Sequence, residues 1–275
     1  MTEQYAKAAF QAAIAQGKIP RYLYKYTSVE NCLHMIYDGT LYFADYHTFN
    51  DPFECKAVID TNNSEEEWHN FLLQNGLNPS EATNLAKQIS HDPSKAEKIV
   101  NECVQDSHDT TGFLCLTAKR DNLLMWAHYA NNHRGMCVEY DLMEINTQLG
   151  FTPVPIIYSN DRVCFNTLNP ATAGDDTLAL FIESITSKSE EWRYEREWRI
   201  IRDNAACGDK WDAEEKGALL DMICPSSITL GCAAEAAFEV SVKKFCEDNR
   251  ISMYKMEKDK SQYKLNKVAV LEYDV

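Results

Sequence analysis

Hydrophobic and polar positions in the first fifty residues predict a helix followed by a strand–helix–strand unit. Ala-rich helical spacing over residues 2–16 indicates a first helix. Alternating aromatic residues from Tyr22 to Tyr26 predict a strand. The segment Thr27–Glu30 is typical of a helix N-terminus, because its hydroxyls can accept the free amides of the first turn. The run Leu41–Ala44 then predicts a second strand.

From residue 111 onwards, short apolar runs alternate with helical spacing. Strands are predicted at 113–117, 136–140, 154–158, 198–201, 227–230, 252–256 and 264–271, and helices at 122–130, 177–187 and 234–248. Some successive strands have no crossover helix between them. We therefore expect an α+β fold with a mixed or antiparallel central sheet flanked by helices. We see no repeat or linker and predict a single domain over 1–275.

The segment 60–110 differs from the rest of the chain. It carries ten acidic and three basic residues, with thin apolar faces at helical spacing, which predicts an acidic helical insertion. The whole chain has a formal net charge of -15. A field of that sign disfavours an extended nucleic-acid groove, although it leaves room for a local site for an anionic ligand.

The ten cysteines have no CxxC spacing, so neither a zinc knuckle nor a thioredoxin-type pair is predicted. Several lie in apolar runs, which is typical of reduced, buried thiols. The N-terminus lacks a basic signal-peptide region, and no apolar run approaches the ~20 residues that span a bilayer. We therefore expect a cytoplasmic protein with no membrane segment.

Four polar clusters lie where packing alone would favour apolar residues. They are Tyr24–Thr27, Phe49–Glu54, Asp121–Tyr129 and Glu195–Arg199. Each also has a structural explanation, namely a tight turn, a core helix or internal ion pairs.

Metal and nucleotide motifs are weak in this sequence. The spacing of His128 and His133 places them on different helix faces, so no metal site is predicted from them. A carboxylate set could bind Mg²⁺ as in nucleases, without a spacing signature. Its members are Asp51, Glu54, Glu139, Asp141 and Glu197. Gly-rich phosphate loops and a serine-hydrolase elbow are absent from the sequence.

The clusters resemble motifs of the bacterial "domain of unknown function 2971" family. The motifs are Leu23–Thr27, Phe49–Glu54, Leu124–Tyr129, His133–Gly135 and Glu197–Arg199. The unit Leu23–Phe43 is more distantly similar to the opening of ADP-ribosyltransferase folds. That resemblance implies such a fold, the use of NAD by a transferase or NAD hydrolase, and a role as a toxin or phage-defence effector.

In this resemblance Glu197 takes the position of the catalytic glutamate, and Lys25 or Thr27 takes the NAD-binding position on the first strand. Cleavage of the nicotinamide–ribose bond builds positive charge on the ribose, which a carboxylate stabilises. His128 would act as the base that prepares an acceptor. The residues expected to bind NAD, by aromatic stacking, charge or hydrogen bonding, are Tyr24, Lys25, Tyr26, Thr27, Asn50, Asp51, Trp126, Tyr129 and Arg199.

Two other functions remain open from the sequence. One is a metal-dependent nuclease or phosphodiesterase that uses Asp51, Glu54, His128 and Glu197. The other is a non-catalytic module that binds a nucleotide-like small molecule or a protein partner.

Overall fold

The computed structural model describes residues 3–74, 76–95, 97–98, 111–149, 153–165, 168, 175–203, 211–212, 217–221 and 223–273. Its α-helices are α1 (Glu3–Ala15), α2 (Val29–Leu33), α3 (Glu65–Gln74), α4 (Pro79–His91), α5 (Leu123–Tyr129), α6 (Leu142–Leu149), α7 (Asp175–Thr186) and α8 (Ala236–Asn249). Its strands are β1 (Tyr22–Thr27), β2 (Thr40–Ala44), β3 (Val58–Ile59), β4 (Thr111–Thr117), β5 (Met136–Asp141), β6 (Val154–Pro155), β7 (Ile157–Ser159), β8 (Cys164–Phe165), β9 (Ser187–Ser189), β10 (Glu197–Asp203), β11 (Trp211–Asp212), β12 (Gly217–Asp221), β13 (Ser227–Leu230), β14 (Ser252–Lys258) and β15 (Leu265–Leu271).

The chain divides into two compact units. The first comprises Met1–Ala44, Gly112–Pro155 and Arg193–Val275, and the second comprises Asp45–Thr111 and Ile156–Trp192. Among the described residues, none of the helices has both the length and the apolar character needed to cross a bilayer.

The first unit is built on a mostly antiparallel sheet, with the strand order β11-β12-β2-β4-β1-β5-β13-β14-β15. Strand β10 pairs with β4 and β6 beside this path. In the pairings with described register, only β13 and β14 run parallel in this sheet. The α+β prediction with a mixed or antiparallel sheet is therefore confirmed, while the ADP-ribosyltransferase-like form of that fold stays a prediction.

Alternation along the strands gives this sheet two different faces. One face carries the main apolar core, to which α2, α6 and α8 contribute buried residues such as Cys32, Ile145 and Val242. The other face carries a smaller cluster in which Tyr26 and Cys137 pack against Trp126 of α5. The sheet thus buries one face under several helices and places α5 on the opposite face.

The second unit contains α3 and α4, which pack through Trp68, Leu72, Ala86 and Ile89. It also contains the two parallel strand pairs β3–β8 and β7–β9. The predicted acidic segment 60–110 contributes α3 and α4 here, as its periodicity indicates, and its residues 75, 96 and 99–110 lie outside the described residues.

Candidate functional site

The predicted residues on β1 are largely engaged in the fold. Lys25 Nζ donates to the carbonyl of Cys115 at 3.1 Å. The Tyr26 hydroxyl donates to the carbonyl of Lys119 at 3.0 Å, and burial raises the pKa of this phenol. Thr27 is buried. Of this group, Tyr24 is the half-buried residue whose side chain lies on the α5 face of the sheet.

Helix α5 places the predicted aromatic residues on the same face. Asn122 caps the helix by accepting the amides of Leu124 and Met125. Trp126 is fully buried, donates Nε1–H to the Arg120 carbonyl at 3.0 Å, and meets the Tyr26 ring edge-on at 5.1 Å. These contacts make Trp126 part of the core of this layer.

The end of α5 contacts the segment before β10. The Tyr129 hydroxyl donates to Glu195 Oε1 at 2.6 Å, and Glu195 is buried. The neighbouring His128 is exposed, with its ring centroid 6.5 Å from that of Tyr194. The end of α5 therefore contacts the buried carboxylate of Glu195 through Tyr129 and leaves the neighbouring imidazole of His128 exposed.

The predicted catalytic Glu197 forms a buried ion pair with the predicted NAD-binding Arg199. Arg199 Nε donates to Glu197 Oε1 at 2.7 Å, and the two side chains are 1% and 6% exposed. The guanidinium also lies over the Phe113 ring, with Cζ 5.7 Å from the centroid. This placement gives the pair a packing role inside the sheet layer.

Asn50 and Asp51 belong to the second unit. Asn50 is exposed, whereas Asp51 is buried and accepts the amide of Phe53 on Oδ1 at 2.9 Å. Asp51 lines a cavity of about 270 Å³ together with Glu54 and Lys188, whose carboxylate and ammonium are 3.4 Å apart. Of these two predicted residues, Asp51 therefore belongs to a separate polar cavity within its own unit, and Asn50 does not line that cavity.

The register of the first unit's sheet brings together a polar row of which the sequence motifs include only Tyr24 and the carboxylate set only Glu139. Tyr24 is the Cα partner of Thr117 on one side and of Glu139 on the other. Glu139 in turn opposes Ser227, and Ser227 opposes Ser252. Five neighbouring strands therefore present polar side chains in one line across the α5 face.

Glu139 is the charged residue at the centre of this row. The Ser227 hydroxyl lies 3.1 Å from Glu139 Oε1, and Arg120 Nη1 lies 3.6 Å from Oε2. The carboxylate side chain is 14% exposed and the guanidinium side chain 45%. The pKa of Tyr24 is raised first by burial and then by the negative charge of Glu139.

Two residues from the last hairpin complete the surroundings of Glu139. Lys267 Nζ lies over the Tyr254 ring, 3.5 Å from its centroid. Burial lowers the pKa of Lys267, while the charge of Glu139 acts in the opposite direction. Burial is the main cause of the raised pKa of Tyr254, and the charge of Glu139 contributes in the same direction to a smaller extent. We call Tyr24, Arg120, Glu139, Ser227, Tyr254 and Lys267 the Glu139 cluster.

The Glu139 cluster offers a carboxylate, two cations and two phenols on one sheet face. Within the described residues, no group of three or more His, Cys, Asp or Glu side chains is arranged to hold a metal ion. A faint sequence signal existed, because Glu139 interrupts the apolar strand Met136–Tyr140. Strand pairing was needed to show which residues face it.

Comparison with protein families matches residues 125–200 to the family described as "Protein of unknown function (DUF2971)". This match over residues 125–200 confirms the resemblance to that family that the sequence motifs indicate. No curated protein and no solved structure matches the chain.

Proposed function

We propose that the Glu139 cluster is the catalytic centre of an enzyme that cleaves the nicotinamide–ribose bond of NAD. The enzyme would transfer the ADP-ribosyl group to an acceptor or to water. The observation that carries this proposal is the partly exposed Glu139 carboxylate, held at the centre of a polar row by Ser227 and Arg120. The distant resemblance of Leu23–Phe43 to ADP-ribosyltransferases supports the same chemistry.

The residue types of the cluster suit each part of NAD. As the bond from ribose C1′ to the nicotinamide nitrogen breaks, its electron pair leaves with nicotinamide and positive charge develops on the ribose. The Glu139 carboxylate would stabilise that charge and accept a hydrogen bond from a ribose hydroxyl. Arg120 and Lys267 would bind the pyrophosphate. In hydrolysis, water adds to C1′ and releases its proton to solvent.

This assignment differs from the sequence-based one in its carboxylate. Glu197 is only 5% exposed and is paired with the still more buried Arg199. A carboxylate in that position is costly to bring into contact with a soluble substrate. Tyr24 keeps its expected role, because it lies directly beside Glu139 in the register and its phenol faces that charge.

Release of nicotinamide from NAD by the purified protein tests the proposal. We expect Glu139→Gln to lower kcat by about 100-fold or more, because it removes the charge that stabilises the transition state while keeping the side-chain shape. Glu257→Gln is the matched control, since Glu257 is exposed on β14 and lies outside the cluster. The control should keep the wild-type rate.

Two outcomes would overturn the proposal: a wild-type protein that releases no nicotinamide, or a Glu139→Gln variant that retains the full rate. A lower melting temperature of Glu139→Gln without any wild-type turnover would favour the non-catalytic binding module. If the activity serves a toxin or phage-defence effector, expression of the wild type depletes cellular NAD and stops growth, and Glu139→Gln does neither.

A further inference from the structure

The loop between β14 and β15 concentrates positive charge on an acidic chain. The stretch Lys258–Lys264, from the last residue of β14 to the end of the loop, carries the exposed residues Lys258, Lys260 and Lys264 with Asp259 as its single acid, whereas the whole chain has a formal net charge of -15. Three positive charges and one negative charge leave a local balance of +2. The tip of this hairpin therefore has the opposite sign to most of the surface.

Asp259 forms no ion pair with these lysines, because its carboxylate accepts hydrogen bonds from the loop backbone and from Asn266. Oδ1 accepts the amides of Ser261 at 2.8 Å and Gln262 at 3.0 Å, and Oδ2 accepts Asn266 Nδ2 at 3.0 Å. The hydrogen bond from Asn266 is the largest cause of the lowered pKa of Asp259. In the part of the chain that the structure describes, the three lysines form no ion pair.

The loop forms one wall of a cavity of about 630 Å³. The three lysines and Tyr263 line it, and the Tyr263 side chain is fully exposed. This volume is in the range of sites for small molecules, roughly 300–1,000 Å³. An exposed aromatic ring beside cations is an arrangement that suits a ligand with both a flat ring and negative charge.

His133 lines the same cavity from the segment after α5. Asn131, Asn132 and His133 are three successive residues with positive φ, at 48°, 52° and 66°. Such a run costs conformational energy and persists only where surrounding contacts fix it. Here the His133 amide donates to the Trp126 carbonyl at 3.0 Å, and the two rings stack with centroids 6.4 Å apart.

The His133 side chain also retains an unused polar atom. Its Nδ1 is buried and has no hydrogen-bond partner. Burial and the nearby Lys258 lower the pKa of this imidazole. One wall of the cavity is therefore the fixed segment that carries the His133 ring. The other wall carries the three lysines and the exposed phenol ring of Tyr263.

We propose that this cavity binds a nucleotide, with the phosphates on Lys258, Lys260 and Lys264 and the base stacked on Tyr263. Lysine ammonium groups bind phosphate as point charges, and aromatic stacking accepts any base. The proposal does not depend on NAD cleavage at the Glu139 cluster. It assigns a ligand class to a different set of side chains, which the sequence motifs do not include.

Titration calorimetry at low ionic strength, with inorganic triphosphate and with ATP as probes, tests this site. The wild type should bind both probes, and ATP more tightly. Lys258→Gln/Lys260→Gln/Lys264→Gln should weaken both by about 1,000-fold, given roughly tenfold for each of the three charged contacts. Tyr263→Ser should remove the preference for ATP and keep the affinity for triphosphate.

A charge-matched variant tests whether the loss of affinity comes from these three lysines or from the change in the protein's net charge. Lys18→Gln/Lys243→Gln/Lys244→Gln removes three exposed lysines elsewhere and should leave both affinities unchanged. The proposal is overturned if the wild type binds neither probe, or if both triple variants lose affinity equally. Much tighter binding of a single-stranded RNA than of ATP would also overturn it in favour of a nucleic-acid surface.

The same variants keep this proposal distinct from the function proposed above. Glu139→Gln should bind triphosphate like the wild type, and the variant of the three hairpin lysines should keep the wild-type rate of nicotinamide release in NAD excess. Loss of triphosphate binding in Glu139→Gln would refute a separate nucleotide site.

Discussion

The buried pair of Glu197 and Arg199 gives a sharp prediction about stability. The two side chains are 6% and 1% exposed and 2.7 Å apart, so each charge has lost most of its water. Glu197→Gln leaves the Arg199 guanidinium without that carboxylate in a desolvated place. Removal of one partner from such a pair costs about 3–5 kcal/mol, a large share of a typical domain's stability. We expect a loss of that size.

Urea unfolding followed by circular dichroism measures this loss. Addition of Arg199→Met to Glu197→Gln should cost less than the sum of the two single changes, because the second change removes the remaining buried charge. Asp248→Asn is the control, since Lys244 and Asp248 form an exposed pair with side chains 75% and 60% exposed. Such a pair contributes about 0.5 kcal/mol or less.

One result would refute this reasoning. If Glu197→Gln unfolds at the same urea concentration as the wild type and abolishes nicotinamide release, then Glu197 acts on substrate. The catalytic role that its position in the sequence implies would then replace our assignment to Glu139.

Two further predictions concern the segment that carries His133. In Gly231→Ala the added Cβ would lie 2.0 Å from the His133 carbonyl oxygen, so we expect more than about 3 kcal/mol of destabilisation in urea. At Gly17, which has φ +67° and open space, alanine should cost only about 1–2 kcal/mol, and equal losses would contradict the argument. The pKa of His133 lies below its usual 6.5, so the unfolded chain takes up this proton first as pH falls. Stability should therefore decline below pH ~6.5. His133→Asn, which tolerates positive φ, should reduce that decline, and an unchanged pH slope would count against it.

Local patterns predicted most of the elements, because spacing and caps act within a few residues. The helix predicted over 122–130 is α5, and the strand predicted over 136–140 is β5, each within one or two residues of its bounds. The hydrophobic pattern missed elements whose apolar positions span only a few residues. Helix α6 and strand β12 were not predicted, and the predicted second helix continues from α2 as a π-helix over His34–Asp38.

The sequence by itself determined the α+β class, the polar motifs and the resemblance to one protein family. It also identified Glu197 and Tyr24 as residues of interest, because charged and aromatic side chains in strand positions stand out. It did not determine which of these residues meet. That depended on strand register, since a shift by one residue moves every side chain to the other face.

An ion pair within Glu195–Arg199 was one interpretation of the sequence, but only the tertiary structure buried the pair of Glu197 and Arg199 inside the sheet layer. Only the tertiary structure, too, set Glu139 between Tyr24 and Ser227. The same holds for the hairpin lysines and His133, which are more than a hundred residues apart in sequence yet line one cavity. The residue types in the sequence fix the charge and the hydrogen-bonding capacity of each side chain. Burial and neighbours, which decide what those groups do, arise only when distant strands pair.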